Sequence, residues 1–408
     1  MRALTGPGPA LVAWPIMLLP ILLAATRACF AVESQWIGGH SNNWSDPLNW
    51  LGNVPTNGET VRLPLDTSVP PFIVQDLSGG VLVSGVTSTQ GNPPTRFFID
   101  GNRIDLAAGS RVTFAGPGSP GGPHTPVVFN APLRLLGAAT FECATPNLSP
   151  AFGYYAHLFD NITGDGSVTS AGQQSLGSDH VILRASYTGT TTVRSGVLRV
   201  GGAVYAHGMY SFTEADTTNQ GDYLVMNGAT LTGMGAIGLA PGGKLTVAGT
   251  IVPGHGGFLG LGEDGGVDLR INGDLVFADG ATCLANWLSR LSNLTVNGTL
   301  DLRATGEQLG IIGPLSFITP GTYAVMEYQN RLGQFDVAAS SYITSISYTS
   351  PENGGPGQVL ITVPETTWAG LALAGMLLPS VRARRAIRHG NGNVLTRAGV
   401  SARYPARS

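Results

Sequence analysis

Lysine is almost absent from this chain: one residue, Lys244, in 408. Charge of either sign is scarce, at 12% of residues, about half of the usual quarter. With 43% hydrophobic residues beside it, that low charge excludes a disordered chain, which needs the opposite balance. The charge is also unevenly spread. Residues 32–363 hold 13 basic and 24 acidic residues, a net charge of −11, and seven arginines follow Glu365 with no acidic residue among them. A body this acidic excludes a nucleic-acid partner, whose phosphates need Lys and Arg.

Cysteine is nearly as rare, with only Cys29, Cys143 and Cys283. Cys29 falls in the leader described below. Cys143 and Cys283 therefore allow one disulfide at most, and their separation is no zinc signature. A disulfide between them and two reduced thiols are both open. Several catalytic signatures are missing too. There is no G-x-S-x-G elbow for a serine nucleophile and no H-x-x-x-H pair at zinc spacing. No cofactor is expected, with calcium on the acidic surface the one ion left open, since carboxylate oxygens suit it. Long helical periodicity is absent as well. Glycine is plentiful, at 58 residues, about twice the usual share, and points to short strands with many turns.

The two ends look like addresses. Residues 1–31 read as a secretory signal: Arg2, the apolar run LVAWPIMLLPILLAA, and small residues before a cut after Ala31. The other end, VPETTWAGLALAGMLLPSVRARR at 363–385, sets an apolar run before Arg382, Arg384 and Arg385. That order is a membrane-stop arrangement. It resembles the PEP-CTERM sorting signal of exported bacterial proteins, with Pro364 and Glu365 as the surviving part of the Pro-Glu-Pro motif. Thr366 departs from it, and residues 386–408 form a basic tail beyond it. The resemblance implies an exosortase-type sorting partner and membrane contact only through this segment.

Between the ends, one texture repeats. A turn glycine precedes alternating apolar residues in SGVLRV (195–200), NGATLTG (227–233), GGKLTVAGTI (242–251), NGDLVFADGAT (272–282) and NGTLDL (297–302). Leu198/Val200, Leu245/Val247, Leu275/Phe277 and Leu300/Leu302 alternate with polar residues, the period of a strand with one buried face. The spacing is irregular, which excludes strict repeats of the leucine-rich or WD type. Two all-β architectures use this pattern. Asn-Gly between alternating runs signals hairpins and hence an antiparallel β-sandwich. A right-handed parallel β-helix uses the same units, each bend leading to the next face of a coil. At roughly 20–30 residues per coil, about a dozen coils fill the body, and that length favours the solenoid.

YTGTTTVRSGVLRVGG (187–202) resembles the autotransporter-associated β-strand repeat: a Tyr/Gly start, Thr-Thr-Val, a turn Gly, then Leu-x-Val. LTGMGAIGLAPGGKLTVAGTIVPGHGGFLGL, LTVNGTLDL and GTYAVMEYQNRLGQFD follow in that family's order. The Trp-rich start WIGGHSNNWSDPLNWLGNVPTNGETV (36–61) resembles the opening of exported proteins that carry such repeats. The likeness covers most of 181–363, while 65–180 share only texture. It implies an exported parallel β-helix, ordinarily without enzymatic activity. The expected layout is a signal peptide (1–31), a Trp-rich cap (32–64), a β-helix (65–363), the sorting segment (364–385) and the basic tail (386–408).

Two features suggest function beyond scaffold. Trp36, Trp44 and Trp50 either cap the open end of a solenoid or offer aromatic faces to glycans. Enzymes on this fold attack polysaccharides with paired carboxylates. Glu263, Asp264 and Asp268 form the best local cluster, beside Glu214/Asp216 and Asp160/Asp165. Each sits among turn residues, so each is expected to decorate a turn. A polysaccharide-active enzyme predicts instead that carboxylates from separate coils converge in a groove edged by a long loop such as GPGSPGGPHTP (116–126). The leading expectation is a non-enzymatic, exported surface or matrix protein with a structural or adhesive role. Its partners would be glycans or other envelope proteins. The alternatives are such an enzyme or a glycan-binding module.

Overall fold

A computed structural model describes residues 33–65, 72–90, 97–114, 127–144, 157–173, 179–206, 209–254, 268–287, 291–313, 319–351 and 355–365. The chain divides after Pro364 into two compact units, and the described residues of the first are all-β. Their only helical piece is a 3₁₀ turn, Pro47–Asn49. Twenty-nine strands join one large, mostly parallel sheet arranged as a ring. A separate hairpin, Gly202–Ala206 with Met209–Thr213, is antiparallel.

The pairing register resolves into three parallel ladders. In ladder A, Val81, Ile104, Leu133, Ile162, Ala185, Thr217, Ile237, Ile271, Val296 and Tyr328 are successive partners. In ladder B the row is Val61, Val86, Val112, Phe141, Ser170, Val193, Val225, Val247 and Phe277. In ladder C it is Phe97, Val127, His157, His180, Leu198, Leu231, Ile251, Cys283 and Leu309. The chain visits the ladders in fixed rotation, A then B then C. Residues 133–135, 139–143 and 157–159 make one such pass, and 245–247 begin in B where 237 leaves A.

All three rows are buried, and nearly all their members share one core cluster that runs the length of the ring. Strand pleat explains the pattern, because alternate residues point to opposite faces. Most inner positions are Val, Leu, Ile or Phe, each contributing about 1.5–3 kcal/mol when buried. The alternations named above obey this rule: Leu198, Val200, Leu245, Val247, Leu275, Phe277, Leu300 and Leu302 are all buried. Ladder C also buries a smaller cluster on its other face, where Phe98, Val128, Leu158 and Val181 stand in register.

The antiparallel sandwich is not what forms. Asn227-Gly228 looks like a hairpin turn but is a corner. Tyr223–Val225 before it pairs in parallel with 191–193 and 245–247, while Ala229–Gly233 after it pairs with 196–200. The ladders also run unbroken through residue 180, with Ile182 joined to Phe159 and Val200. The described residues of 65–180, a stretch that shares only texture with the later repeats, thus build the same three rows. Cys143 lies in a ladder B strand and Cys283 in ladder C. Both are buried and they form no disulfide.

The opening repeat shows why its glycine is needed. Gly196 has φ +70°, and a Cβ there would lie 2.1 Å from the Asp179 carboxylate and 2.7 Å from the Gly172 backbone. Asp179 is buried and its Oδ2 accepts the Val197 N–H at 2.7 Å. The Ser-Gly bend is therefore clamped by a side chain from the preceding pass.

At the far end the direction changes. Gly321–Gly333 pairs antiparallel with Gly357–Val363, which pairs antiparallel with Ser345–Tyr348.

Candidate functional site

The three tryptophans of the opening meet at the first pass. Trp36 and Trp50 stand edge to face at 5.0 Å, and Trp44 and Trp50 at 4.9 Å. The Trp44 Nε1–H donates to the Pro55 carbonyl at 2.9 Å, and the Trp50 Nε1–H donates to the Trp44 carbonyl at 2.7 Å. Their exposures are 0%, 0% and 4%. No indole face is open to stack on a sugar, and of the two readings, cap or glycan platform, the burial supports the cap. They cover the end of the core instead.

The expected carboxylate clusters fare differently. Glu263, Asp264, Arg382, Arg384, Arg385 and the loop 116–126 lie outside the described residues. That loop joins Phe114 of ladder B to Val127 of ladder C. Pro364 is half-buried and Glu365 exposed at the end of the described chain. Glu214 and Asp268, from two different clusters, do come together. They line a cleft of about 240 Å³ with Ala215, Gly235, Ala236, Arg270 and Thr295.

The local sequences explain the cleft. Glu214-Ala215-Asp216 and Asp268-Leu269-Arg270 each bury the middle residue and expose the outer two. Register places Asp216, Ala236, Arg270 and Thr295 in one outward row of ladder A. The pass between Glu214 and Asp268 contributes only Gly235 and Ala236, so the floor is main chain. Gly235 is required there: φ is +95°, and a Cβ would sit 2.3 Å from the Ala215 nitrogen. Asp268 is fixed at both ends. Its Oδ1 accepts the Asn293 N–H at 3.1 Å, and its carbonyl accepts the Gly235 N–H at 3.0 Å. Asp216, the other member of the Glu214 cluster, stands beside Arg184 in the row, and Arg184 pairs with Asp160.

The cleft therefore offers two carboxylates, one guanidinium and one hydroxyl, the mixed donors and acceptors that suit a hydroxyl-rich ligand. Glu214, Asp268 and Arg270 are all solvent-exposed. A general acid on a glycosidase is held in a low-polarity pocket, and these side chains are not.

Two buried polar constellations escape sequence reading. In ladder C, His157 and His180 stack at 5.2 Å with their Nδ1 atoms 3.2 Å apart. Phe114, Phe129, Phe141 and Phe159 surround them. Burial holds both imidazoles below the ordinary range, His180 at about 4. The only signal was His180 at an inward position of the apolar run HVILRA. The second constellation is Glu307, wholly buried at a corner between ladders B and C.

Comparison with known protein families and with curated proteins finds no match.

Proposed function

We propose that the ring is a right-handed parallel β-helix and that the protein is an exported, non-enzymatic scaffold of the cell surface or extracellular matrix. One observation carries this reading: three inward rows stay in register from the first passes to the last, visited in constant rotation. Right-handed crossover is the rule for parallel strands joined this way. The side chains of the ladders are spent on stacking, while Thr, Ser and Asn face outward. The repeat resemblance and the leader-like and sorting-like ends extend the proposal. Export would use residues 1–31. Sorting at 364–385 would use an exosortase-type partner, with Pro364, Glu365, Arg382, Arg384 and Arg385 as the signal. Glycans or envelope proteins would be the ligands of the outer faces. Among the described residues no helix is long and apolar enough to cross a membrane; membrane contact is proposed through the C-terminal segment, from its apolar run ahead of the arginines.

A second reading draws on the cleft. Glu214 and Asp268 reach it from separate passes, as a polysaccharide-active enzyme requires. The test is one screen on the purified protein with a panel of bacterial and algal polysaccharides, following binding and release of reducing or unsaturated ends. Binding without turnover, weakened by Arg270→Ala, supports an adhesive scaffold. Turnover lost in Glu214→Gln or Asp268→Asn overturns the non-enzymatic reading.

A further inference from the structure

The walls of the ladder A cleft are two passes of the chain with one pass between them. Ala215 pairs with Gly235, and Gly235 pairs with Leu269. The walls therefore stand roughly 10 Å apart, two strand spacings. Glu214 lines the first wall and Asp268 the second, each one residue before the paired position. The pass between them presents no long side chain to the cleft. Met234 is buried, and Gly235 and Ala236 form the floor. The space between the two carboxylates is thus left to a ligand. The Asn293 N–H steadies Asp268 by donating to its Oδ1 at 3.1 Å, which uses one of the roughly four acceptor positions of a carboxylate.

Charge decides what that ligand is. Arg270 lies two residues beyond Asp268 on the same wall, with Thr295 beside it on the next pass. Two carboxylates and one guanidinium leave the cleft with an excess of negative charge. The body around it is acidic too, with 24 acidic residues against 13 basic ones in 32–363. Such a field draws cations in and turns polyanions away. A neutral sugar would bond through its hydroxyls and leave the excess unmatched. A uronate or sulfated sugar would set its anion against Glu214 and Asp268. A sugar that carries an ammonium satisfies both the charge and the hydroxyl donors.

We propose that the cleft takes one amino-sugar unit of a cationic polysaccharide, its ammonium between Glu214 and Asp268 and its ring hydroxyls on Arg270 and Thr295. The proposal rests on the glycan-binding reading above and narrows it to one chemical class. Charge-assisted bonds from an ammonium to carboxylates are stronger than neutral ones, so the amine sets the preference. Arg270 and Thr295 require the hydroxyl-bearing ring as well, which distinguishes an amino sugar from a bare amine. A volume of about 240 Å³ falls below that of a drug-sized pocket and suits a single unit. Exposed charge pairs are individually weak, so affinity for one unit is low.

The test titrates the full chain by calorimetry with three oligomers of equal length: fully deacetylated glucosamine, its N-acetylated form and a uronate. Each titration is run at low and high salt. The deacetylated oligomer should bind on the order of tenfold more tightly than the N-acetylated one, and salt should shrink that advantage. Glu214→Gln and Asp268→Asn should each remove most of it, while Arg270→Ala should weaken both glucosamine oligomers alike. Equal binding of those two oligomers overturns the amino-sugar assignment but leaves a hydroxyl-rich ligand in the cleft. Tighter binding of the uronate also overturns it, with Arg270 governing recognition. No binding of any oligomer overturns glycan binding at the cleft altogether. A preference that survives in the double variant Glu214→Gln, Asp268→Asn overturns the proposal too, since the acidic surface at large then holds the amine.

Discussion

Acidification should loosen this protein well above the pH at which carboxylates titrate, and the histidine pair sets the window. His180 falls from the usual 6.5 to about 4, mainly through burial, with the main chain at Ala171 and Phe141 opposing. His157 is also held well below 6.5, by burial first and by His180 second. Above pH 6.5 both imidazoles are neutral in the folded and unfolded chain, so the full stability is present. Below 6.5 the unfolded chain takes up protons that the folded core refuses. Stability then falls at about 1.4 kcal/mol per pH unit for each histidine until the folded value is reached. For His180 alone the loss between pH 6.5 and 4 is about 3 kcal/mol, and His157 adds to it. Asp46, held at about 2 by His40 and Ser41, loses its contribution only below this window. Urea midpoints at pH 7, 5.5 and 4.5 measure the effect. The double variant His157→Val, His180→Leu repeats the side chains of the row neighbours Val127 and Leu198 and should be flat across the same range. If the double variant loses stability as steeply as the wild type, the histidines are not the cause and the reasoning fails.

Three further outcomes follow from the packing. Gly196→Ala forces an L-residue into φ +70° and pushes the Asp179 carboxylate off Val197; a loss of about 1–3 kcal/mol is expected in urea unfolding. Trp50→Ala opens a cavity between Trp36 and Trp44 at the end of the core, which should cost about 3–5 kcal/mol in the same assay. An unchanged midpoint would mean that the indoles do not seal that end. Cys283 is buried with its thiol pushed far up by burial, so alkylation should be undetectable in the native protein and rapid in denaturant. Prompt labelling under native conditions would show that ladder C opens locally.

Much of the body was legible because each strand states its own inner face. Leu245/Val247 and Leu275/Phe277 alternate within four residues, and a strand needs nothing more to know which side is dry. The same locality left Asn227-Gly228 open between two architectures. A tight bend is written identically whether the chain folds back on itself or turns a corner, and the partners that decide lie at 191–200 and 245–252. What joins residues across passes was not legible. Glu214 and Asp268 meet because two small residues, Gly235 and Ala236, pass between them. Asp279, Glu307 and Asp336 share a corner although their sequence spacings differ. His157 and His180 stack because the passes that hold them are neighbours, and irregular spacing hides that from any fixed period. The tryptophans were read as either cap or platform, and only their burial decides for the cap.

In the parallel body each described inner strand bonds with the pass before it or the pass after it, and with nothing more distant. Removing one complete pass, corner to corner, would leave its two neighbours facing each other with matching inner rows. The length of such a molecule is therefore an editable quantity. In the β-helix proposed above, gaining or losing whole units would set how far one end stands from the other, without redesigning a core whose strand pairing is local.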